Sequence, residues 1–186
     1  TESTNPNAAV ILREAVDGLR PASGATIVDA TLGPGGHAEA LLDLIGPAGR
    51  LIGIDLDPAA LALARARLAR FGDRFITLQG DHRDIVALLH AKDVVIVDAV
   101  VADLGISSVQ LDDPHRGFAF SATGPLDMRM DPGSGGPSAA DLVATLDAHE
   151  LRDIIATWGE ERIAGRIARA IVRERSKHPI VTTEAL

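Results

Sequence analysis

The 186-residue chain contains no cysteine, no tyrosine and a single tryptophan, and aromatic residues make up only 3% of it. Without thiols it cannot form disulfides, thiolate zinc sites or a cysteine nucleophile, and we expect it to work in a reducing compartment. The six histidines are scattered without metal-ligand spacing, so we expect no metal site. No apolar run approaches the roughly 18 residues of a membrane-spanning helix, and no signal-peptide pattern opens the chain. These absences favour a soluble, cytoplasmic protein.

The charge of the chain is unevenly distributed. Its formal net charge of −8 argues against a nucleic-acid partner, because phosphate contacts depend on Lys and Arg. From Leu151 onward, however, seven basic residues face five acidic ones, a net charge of +2 that leaves −10 on residues 1–150. Four arginines recur there on one face of a predicted helix, which is either a solvated face or a phosphate-binding surface. They are Arg162, Arg166, Arg169 and Arg173.

The first half of the chain alternates short apolar runs with segments of helical periodicity. Four such alternations at the spacing of β–α units predict a parallel sheet with right-handed crossovers, which is a Rossmann-like α/β fold. The predicted strands are residues 26–30, 50–54, 75–79 and 97–102, and the predicted helices are residues 10–19, 36–45, 57–70 and a short segment ending near residue 90.

The second half has a different character. From Asp112 the chain is rich in turn residues, and helices are predicted at about 138–146, 147–157 and 160–175, with Ser138 and Asp147 as caps. We therefore expect a Rossmann-like, ligand-binding part over residues 1–111 and a small helical part over residues 112–186.

A glycine-rich turn follows the first predicted strand. Glycines at positions 33, 35 and 36 allow positive φ angles and close approach of a ligand to the backbone, and the following helix offers N–H groups at its positive end. Asp55 ends the second strand 22 residues after Gly33, close to the spacing of about 20 at which an acid binds ribose hydroxyls in dinucleotide-type folds. Asp81 with His82, and Asp103, follow the third and fourth strands, so these groups should converge on one nucleoside-binding crevice.

Two classes of cofactor fit this crevice. The spacing of Gly33, Gly35 and Ala38 satisfies the G-x-G-x-x-A pattern of NAD-binding proteins. Asp29, at the end of the first strand, instead suits a cationic ligand such as the sulfonium and amino group of S-adenosylmethionine. The charge argument favours the methyl donor over the dinucleotide.

Four segments together resemble the ribosomal RNA small subunit methyltransferase H family, also called MraW. They are residues 33–37, 103–113, 116–131 and 158–164. The resemblance implies a class I methyltransferase sheet with a helical insertion for RNA recognition, and an S-adenosylmethionine-dependent enzyme that methylates the exocyclic N4 of a decoding-centre cytidine. The implied partner is small-subunit ribosomal RNA or the 30S particle, and the oligomeric state stays open, a homodimer among the options.

The resemblance also implies a set of cofactor contacts. By position in the matching motifs, together with the first glycine of the loop, these are Gly33, Gly35, Gly36, His37, Asp55, His82, Asp103 and Gln110. Asp103 is the candidate catalytic residue, which would orient the cytosine amine; holding the methionine end of the cofactor, or stabilising a turn, are its alternative roles.

The chain departs from the family at three places. Residues 7–12 replace the usual His-x-Pro-Val-Leu-Leu pattern, His82 stands where an aromatic residue is frequent, and the chain stops at Leu186 before the strands that would complete the sheet. We therefore expect a fragment with an unpaired sheet edge. A dinucleotide-dependent oxidoreductase and a non-catalytic RNA-binding protein remain the competing functions, and Phe118, Phe120 and Trp158 are the candidates for base stacking, although Trp158 is expected in the core.

Overall fold

The computed structural model describes residues 14–186, which form two compact units. The first, the sheet unit, ends at Ser107, and the second, the helical unit, runs from Ser108 to Leu186. The predicted boundary after residue 111 falls inside a short helix, Ser108–Asp112, with which the helical unit begins.

The sheet unit is built on four parallel strands. Their order across the sheet is β3-β2-β1-β4. β1 is therefore an inner strand, and the chain crosses from one side of β1 to the other between β3 and β4. This order matches the first four strands of the doubly wound fold, and the predicted Rossmann-like α/β architecture is confirmed. The strands are β1 (Thr26–Asp29), β2 (Arg50–Asp55), β3 (Phe75–Gln79) and β4 (Ala99–Val101).

One helix precedes β1, and three others connect the four strands. Those of the sheet unit are α1 (described over 14–19), α2 (Gly36–Leu44), α3 (Pro58–Leu68) and α4 (Ile85–His90). Residues 10–13 of the first predicted helix lie outside the described residues. Asp57 caps α3 by accepting the N–H of Ala59 at 2.9 Å, as its position before Pro58 predicts.

The core lies on both faces of the sheet. Successive strand residues point to opposite sides, and Ile27 and Val28 are fully buried in two different apolar clusters. Ile27 packs with Leu41 and Leu42 of α2, whereas Val28 packs with Leu89 of α4. Burial on both faces explains why the strands read as continuous apolar runs.

The two edges of this sheet are β3 and β4. β4 is short, and its Val100 is 47% exposed. Val95 and Ile96, which precede the strand, are more exposed still. β4 begins two residues later than predicted, at Ala99, and Asp98 just before it bonds Thr26 through both its backbone N–H and its carboxylate. An apolar strand edge of this kind is a surface on which another strand can pair.

The helical unit has its own apolar core of Leu126, Val143, Leu151, Ala168 and Ile171. Its longer helices are α6 (Ala139–Thr145), α7 (Ala148–Thr157) and α8 (Ala164–Arg175), which follow the helix already described as Ser108–Asp112, here α5. Both predicted caps are confirmed, because Ser138 and Asp147 each form a capping box with the acid three residues later. Over residues 14–186, no helix is both long and apolar enough to cross a bilayer.

Candidate functional site

Several acidic side chains lie at the carboxyl ends of the parallel strands. Asp29 ends β1 and is in register with Gly53 of β2 and Val101 of β4. Asp55 ends β2, and Asp103 follows β4 by two residues. Because β1 pairs with both β2 and β4, the strand ends that carry these three acids are neighbours in the sheet.

The glycine loop between β1 and α2 is anchored to the sheet by its own leucine. The backbone N–H of Leu32 donates to the carbonyl of Ile54 at 2.9 Å, and the Leu32 side chain is buried. That side chain lies over Gly53 of β2, where a Cβ would come within 2.6 Å of its methyl groups. The absence of a side chain at Gly53 therefore makes room for the loop on the sheet.

Gly35 is required in this loop for two reasons. Its φ of 85° lies in the left-handed region, and it is the N-cap of α2. A Cβ at this position would also lie 3.0 Å from a methyl group of Leu68 on α3. Gly36, the first residue of α2, faces open space instead. The loop thus presents backbone rather than side chains at the start of α2.

Asp55 braces the glycine loop. One carboxylate oxygen, Oδ2, accepts the backbone N–H of Gly33 at 2.7 Å, and Oδ1 accepts that of Asp57 at 2.9 Å. Asp55 is partly exposed, and each oxygen of a carboxylate has more than one acceptor position. It can therefore hold the loop and accept further hydrogen bonds from a ligand.

Asp29 is the most unusual polar group of the sheet unit. It is only 2% exposed, its Oδ1 accepts the N–H of Thr31 at 3.2 Å, and its buried Oδ2 has no hydrogen-bond partner within residues 14–186. Burial, together with the charges of Asp55 and Asp103, raises the pKa of the Asp29 carboxyl from 3.8 to about 7. A buried acceptor without a donor is costly, and a cation placed beside it would relieve that cost.

The end of β4 is tied to the loop after β1. Thr31 accepts the backbone N–H of Asp103 through its hydroxyl oxygen, at 2.6 Å. Asp103 itself is exposed at the sheet edge. In the part of the chain from residue 14 onward, no group of three His, Cys, Asp or Glu side chains is arranged to hold a metal ion.

The segment after β3 has a local structural role. Asp81 accepts the backbone and side-chain N–H groups of Arg83, each at 2.8 Å, and these bonds lower the pKa of Asp81 to about 2. The carboxylate is thus occupied in capping the turn at His82–Asp84. His82 is exposed beside it, with its Nδ1 3.6 Å from Asp81.

The predicted site residues are divided between the units. Seven of them belong to the sheet unit, where they lie in the glycine loop, at the start of α2 or at the strand ends. Gln110 belongs to the helical unit, where it is buried on α5. Sequence reasoning left out Thr31, whose contact with Asp103 joins residues 72 positions apart, and used Asp29 only to choose between cofactors.

The helical unit presents exposed aromatic and basic side chains. Phe118 is buried, whereas Phe120 is fully exposed and Trp158 is 83% exposed. The expectation that Trp158 packs in the core is wrong, because this residue caps the end of α7 one turn after Ile154, which is also exposed. The predicted arginine face is present: Arg166, Arg169 and Arg173 are exposed on α8, opposite buried Ala168 and Ile171, while Arg162 precedes the helix.

Two comparisons with known sequences point to the same family. The sequence model of the MraW methylase family matches residues 5–186. The ribosomal RNA small subunit methyltransferase H of Trichlorobacter lovleyi is 52% identical over 174 residues, which cover 94% of this chain and 55% of that protein. The protein of the same name from Beutenbergia cavernae is 53% identical over 179 residues, covering 94% and 53%. The chain therefore spans about half the length of the curated relatives it matches.

Proposed function

Because this chain belongs to the MraW methylase family, we propose that it is part of an S-adenosylmethionine-dependent methyltransferase. Its substrate is the exocyclic N4 of a decoding-centre cytidine in small-subunit ribosomal RNA. The relatives named above support the class of enzyme and the kind of RNA. The observation that carries the proposal is the buried Oδ2 of Asp29, which has no partner in the described chain and lies beside the glycine loop.

The electrostatics of the sheet edge fit this cofactor. S-adenosylmethionine carries a sulfonium and an amino group. A positive group near Asp29 would offset the repulsion between its carboxylate and the charges of Asp55 and Asp103. A dinucleotide would instead bring a negatively charged pyrophosphate towards three carboxylates. The same three side chains therefore favour a methyl donor over NAD, and the oxidoreductase function is not supported.

Each part of the crevice has a task in holding the cofactor. The backbone of Gly33, Gly35 and Gly36 forms the loop surface that would face the cofactor. The first turn of α2, which includes His37, has N–H groups without intrahelical partners that can donate to it. Asp55 has acceptor positions left for the ribose hydroxyls of the cofactor. The exposed ring of His82 would stack on its adenine. The assignment of Gln110 remains a prediction from the family resemblance.

Methyl transfer would be an in-line displacement in which the N4–C bond forms as the S–C bond breaks, the bonding electron pair stays on the sulfur, and the N4 proton passes to an acceptor such as the Asp103 carboxylate and then to solvent. The cofactor supplies the electrophilic methyl group. The protein must supply alignment and exclusion of water, because the lone pair of the cytosine amine is delocalised into the ring. Asp103, exposed at the end of β4, accepts an N–H of that amine and turns its lone pair towards the methyl group. Its alternative role is to hold the methionine end of the cofactor.

The helical unit is the part of the chain that would bind the RNA, either free or assembled in the 30S particle. Its exposed arginines on α8 can contact phosphates, and exposed Phe120 and Trp158 can stack on unpaired bases. A target cytosine must leave its stack to reach a crevice at a sheet edge. Assembly of ribosomal subunits would place the protein in the cytoplasm.

Calorimetric titration with S-adenosylhomocysteine tests the cofactor site directly. We expect binding by the wild-type protein, weaker binding by Asp55→Ala, and no heat from NADH. Transfer of a labelled methyl group to 30S subunits, followed by nucleoside analysis, then identifies the product. Binding of adenosylhomocysteine and RNA without transfer would favour the non-catalytic function, whereas binding of NADH alone would reject the proposal.

A further inference from the structure

Thr31 joins the ends of two neighbouring strands. Its backbone N–H donates to Oδ1 of Asp29 at the end of β1, at 3.2 Å, and its hydroxyl oxygen accepts the backbone N–H of Asp103 beyond β4, at 2.6 Å. One residue thus contacts both the buried carboxylate and the segment that carries the exposed one. Sequence motifs give no indication of this link.

The segment that carries Asp103 follows directly after the last backbone pairing between β1 and β4 in the described part of the chain. The pairing of β1 with β4 ends at Asp29 and Val101, and one further backbone bond joins Ala30 N–H to the Val101 carbonyl at 2.8 Å. Residues 102–106 are exposed, and β4 lies at the edge of the sheet. The hydroxyl of Thr31 therefore extends the attachment of this segment two residues past the last strand residue.

The chemistry of threonine suits such an attachment. A β-branched side chain has few χ1 rotamers, so its oxygen is held at one place with little loss of entropy. The oxygen is also close to the loop backbone, which is itself anchored by buried Leu32. Asp103 is in this way tied to the residue next to the buried leucine of the cofactor loop.

We propose that Thr31 is a positioning residue, whose hydroxyl fixes the backbone of Asp103 and so aims the Asp103 carboxylate at the substrate amine. The inference rests on the proposed function, in which Asp103 contacts that amine. Thr31 does not need to touch the substrate for this role. A shift of about 1 Å in a group that aligns reactants is enough to slow a reaction by about 100-fold.

Two substitutions separate the hydroxyl oxygen from the rest of the side chain. Thr31→Val keeps the shape but removes the acceptor, and Thr31→Ser keeps the acceptor in a smaller side chain. In the full-length protein we expect Thr31→Val to lower kcat for methyl transfer by about 10- to 100-fold, with the Kd of S-adenosylhomocysteine changed less than about threefold. Thr31→Ser should restore most of the rate. If Thr31→Val does not fold, Thr31→Ala replaces it as the variant without an acceptor.

Hydrogen exchange of the Asp103 amide gives a second, independent reading. We expect exchange at this amide to accelerate at least about tenfold in Thr31→Val and to remain near the wild-type rate in Thr31→Ser. Unchanged exchange and unchanged kcat in Thr31→Val would overturn the inference. An equal loss of cofactor affinity and kcat would also overturn it, because Thr31 would then act on the cofactor. The wild-type arm tests the proposed function separately: a wild-type protein that transfers no methyl group rejects that function, and this inference with it.

Discussion

The carboxylate of Asp55 and the backbone N–H of Gly33 form a hydrogen bond of 2.7 Å that connects the end of β2 with the glycine loop after β1. The spacing of 22 residues between them is usually read as a ribose-binding signature. In this protein the same carboxylate also fixes the loop backbone. Loss of Asp55 should therefore affect both the ligand contact and the shape of the loop.

Replacing Asp55 by alanine should weaken binding of S-adenosylhomocysteine by about 10- to 100-fold, because hydrogen bonds to a charged group contribute about 1.5–3 kcal/mol. Isothermal titration calorimetry measures the change. Asp43→Ala is the matched control, since Asp43 is an exposed aspartate on α2 that pairs with Arg70 at 2.8 Å. Equal affinities of Asp55→Ala and the control would show that Asp55 contributes nothing to the site.

Gly35→Ala should destabilise the fold by about 1–3 kcal/mol. The substituted residue would need a left-handed backbone at φ 85°, and its Cβ would press on Leu68 at 3.0 Å. Gly36→Ala is the control, because its Cβ would meet no atom within 4 Å at the start of a helix. Urea denaturation of both variants provides the comparison, and similar midpoints would contradict the packing argument.

The stability of the protein should fall as the pH rises from about 4 to about 7, through the contribution of Asp29. The pKa of this carboxyl is about 7 in the folded protein and 3.8 when unperturbed, so between these values the folded state binds the additional proton. Above pH 7 the buried charge costs up to about 4 kcal/mol of unfolding free energy.

Asp29→Asn should remove this dependence, because the amide keeps an acceptor for Thr31 but does not ionise. Urea denaturation at pH 5 and pH 8 should show the variant gaining stability over the wild type at the higher pH. The same substitution should weaken binding of S-adenosylmethionine, whose positive charge would lose its partner. Wild-type and variant stabilities that change in parallel with pH would mean that Asp29 is not the titrating group.

Reversing the charge of Arg166 should weaken binding of small-subunit ribosomal RNA and reduce the slope of log affinity against log salt by about one. Lys92→Glu provides the same change in charge at an exposed turn of the sheet unit. Filter binding at several salt concentrations measures both variants. If Arg166→Glu and Lys92→Glu lose the same affinity, the effect is one of net charge and the α8 face has no special role.

Much of the fold could be predicted from periodicity and turn residues. The first three strands, the Asp57-Pro58 helix start and the Ser138 and Asp147 caps all depend on neighbours in sequence, and all are found where the residues predict them. β4 begins two residues later than its apolar run predicts, and the contacts of Asp98 just before it are with distant Thr26, which local sequence does not reveal. Exposure of Trp158 likewise depends on where α7 ends.

The location of the candidate site could be predicted from the sequence, but the hydrogen bonds and the burial within it could not. The rule that ligands bind at the carboxyl ends of parallel strands indicated the edge that holds Asp29, Asp55 and Asp103. It could not show that Asp29 is buried with an oxygen lacking a partner in the described chain, or that Thr31 bonds the Asp103 backbone. Such contacts depend on side-chain packing between strands far apart in sequence.

The packing of Leu32 over Gly53 has a consequence for the kinetics of ligand capture. A loop whose leucine is buried in the core and bonded to the Ile54 carbonyl has already lost its conformational freedom during folding. The ligand then meets a finished binding surface and spends little of its interaction energy on ordering the backbone. Association at this loop should be a single step, with an observed rate that increases linearly with ligand concentration rather than levelling off at a rate of loop closure.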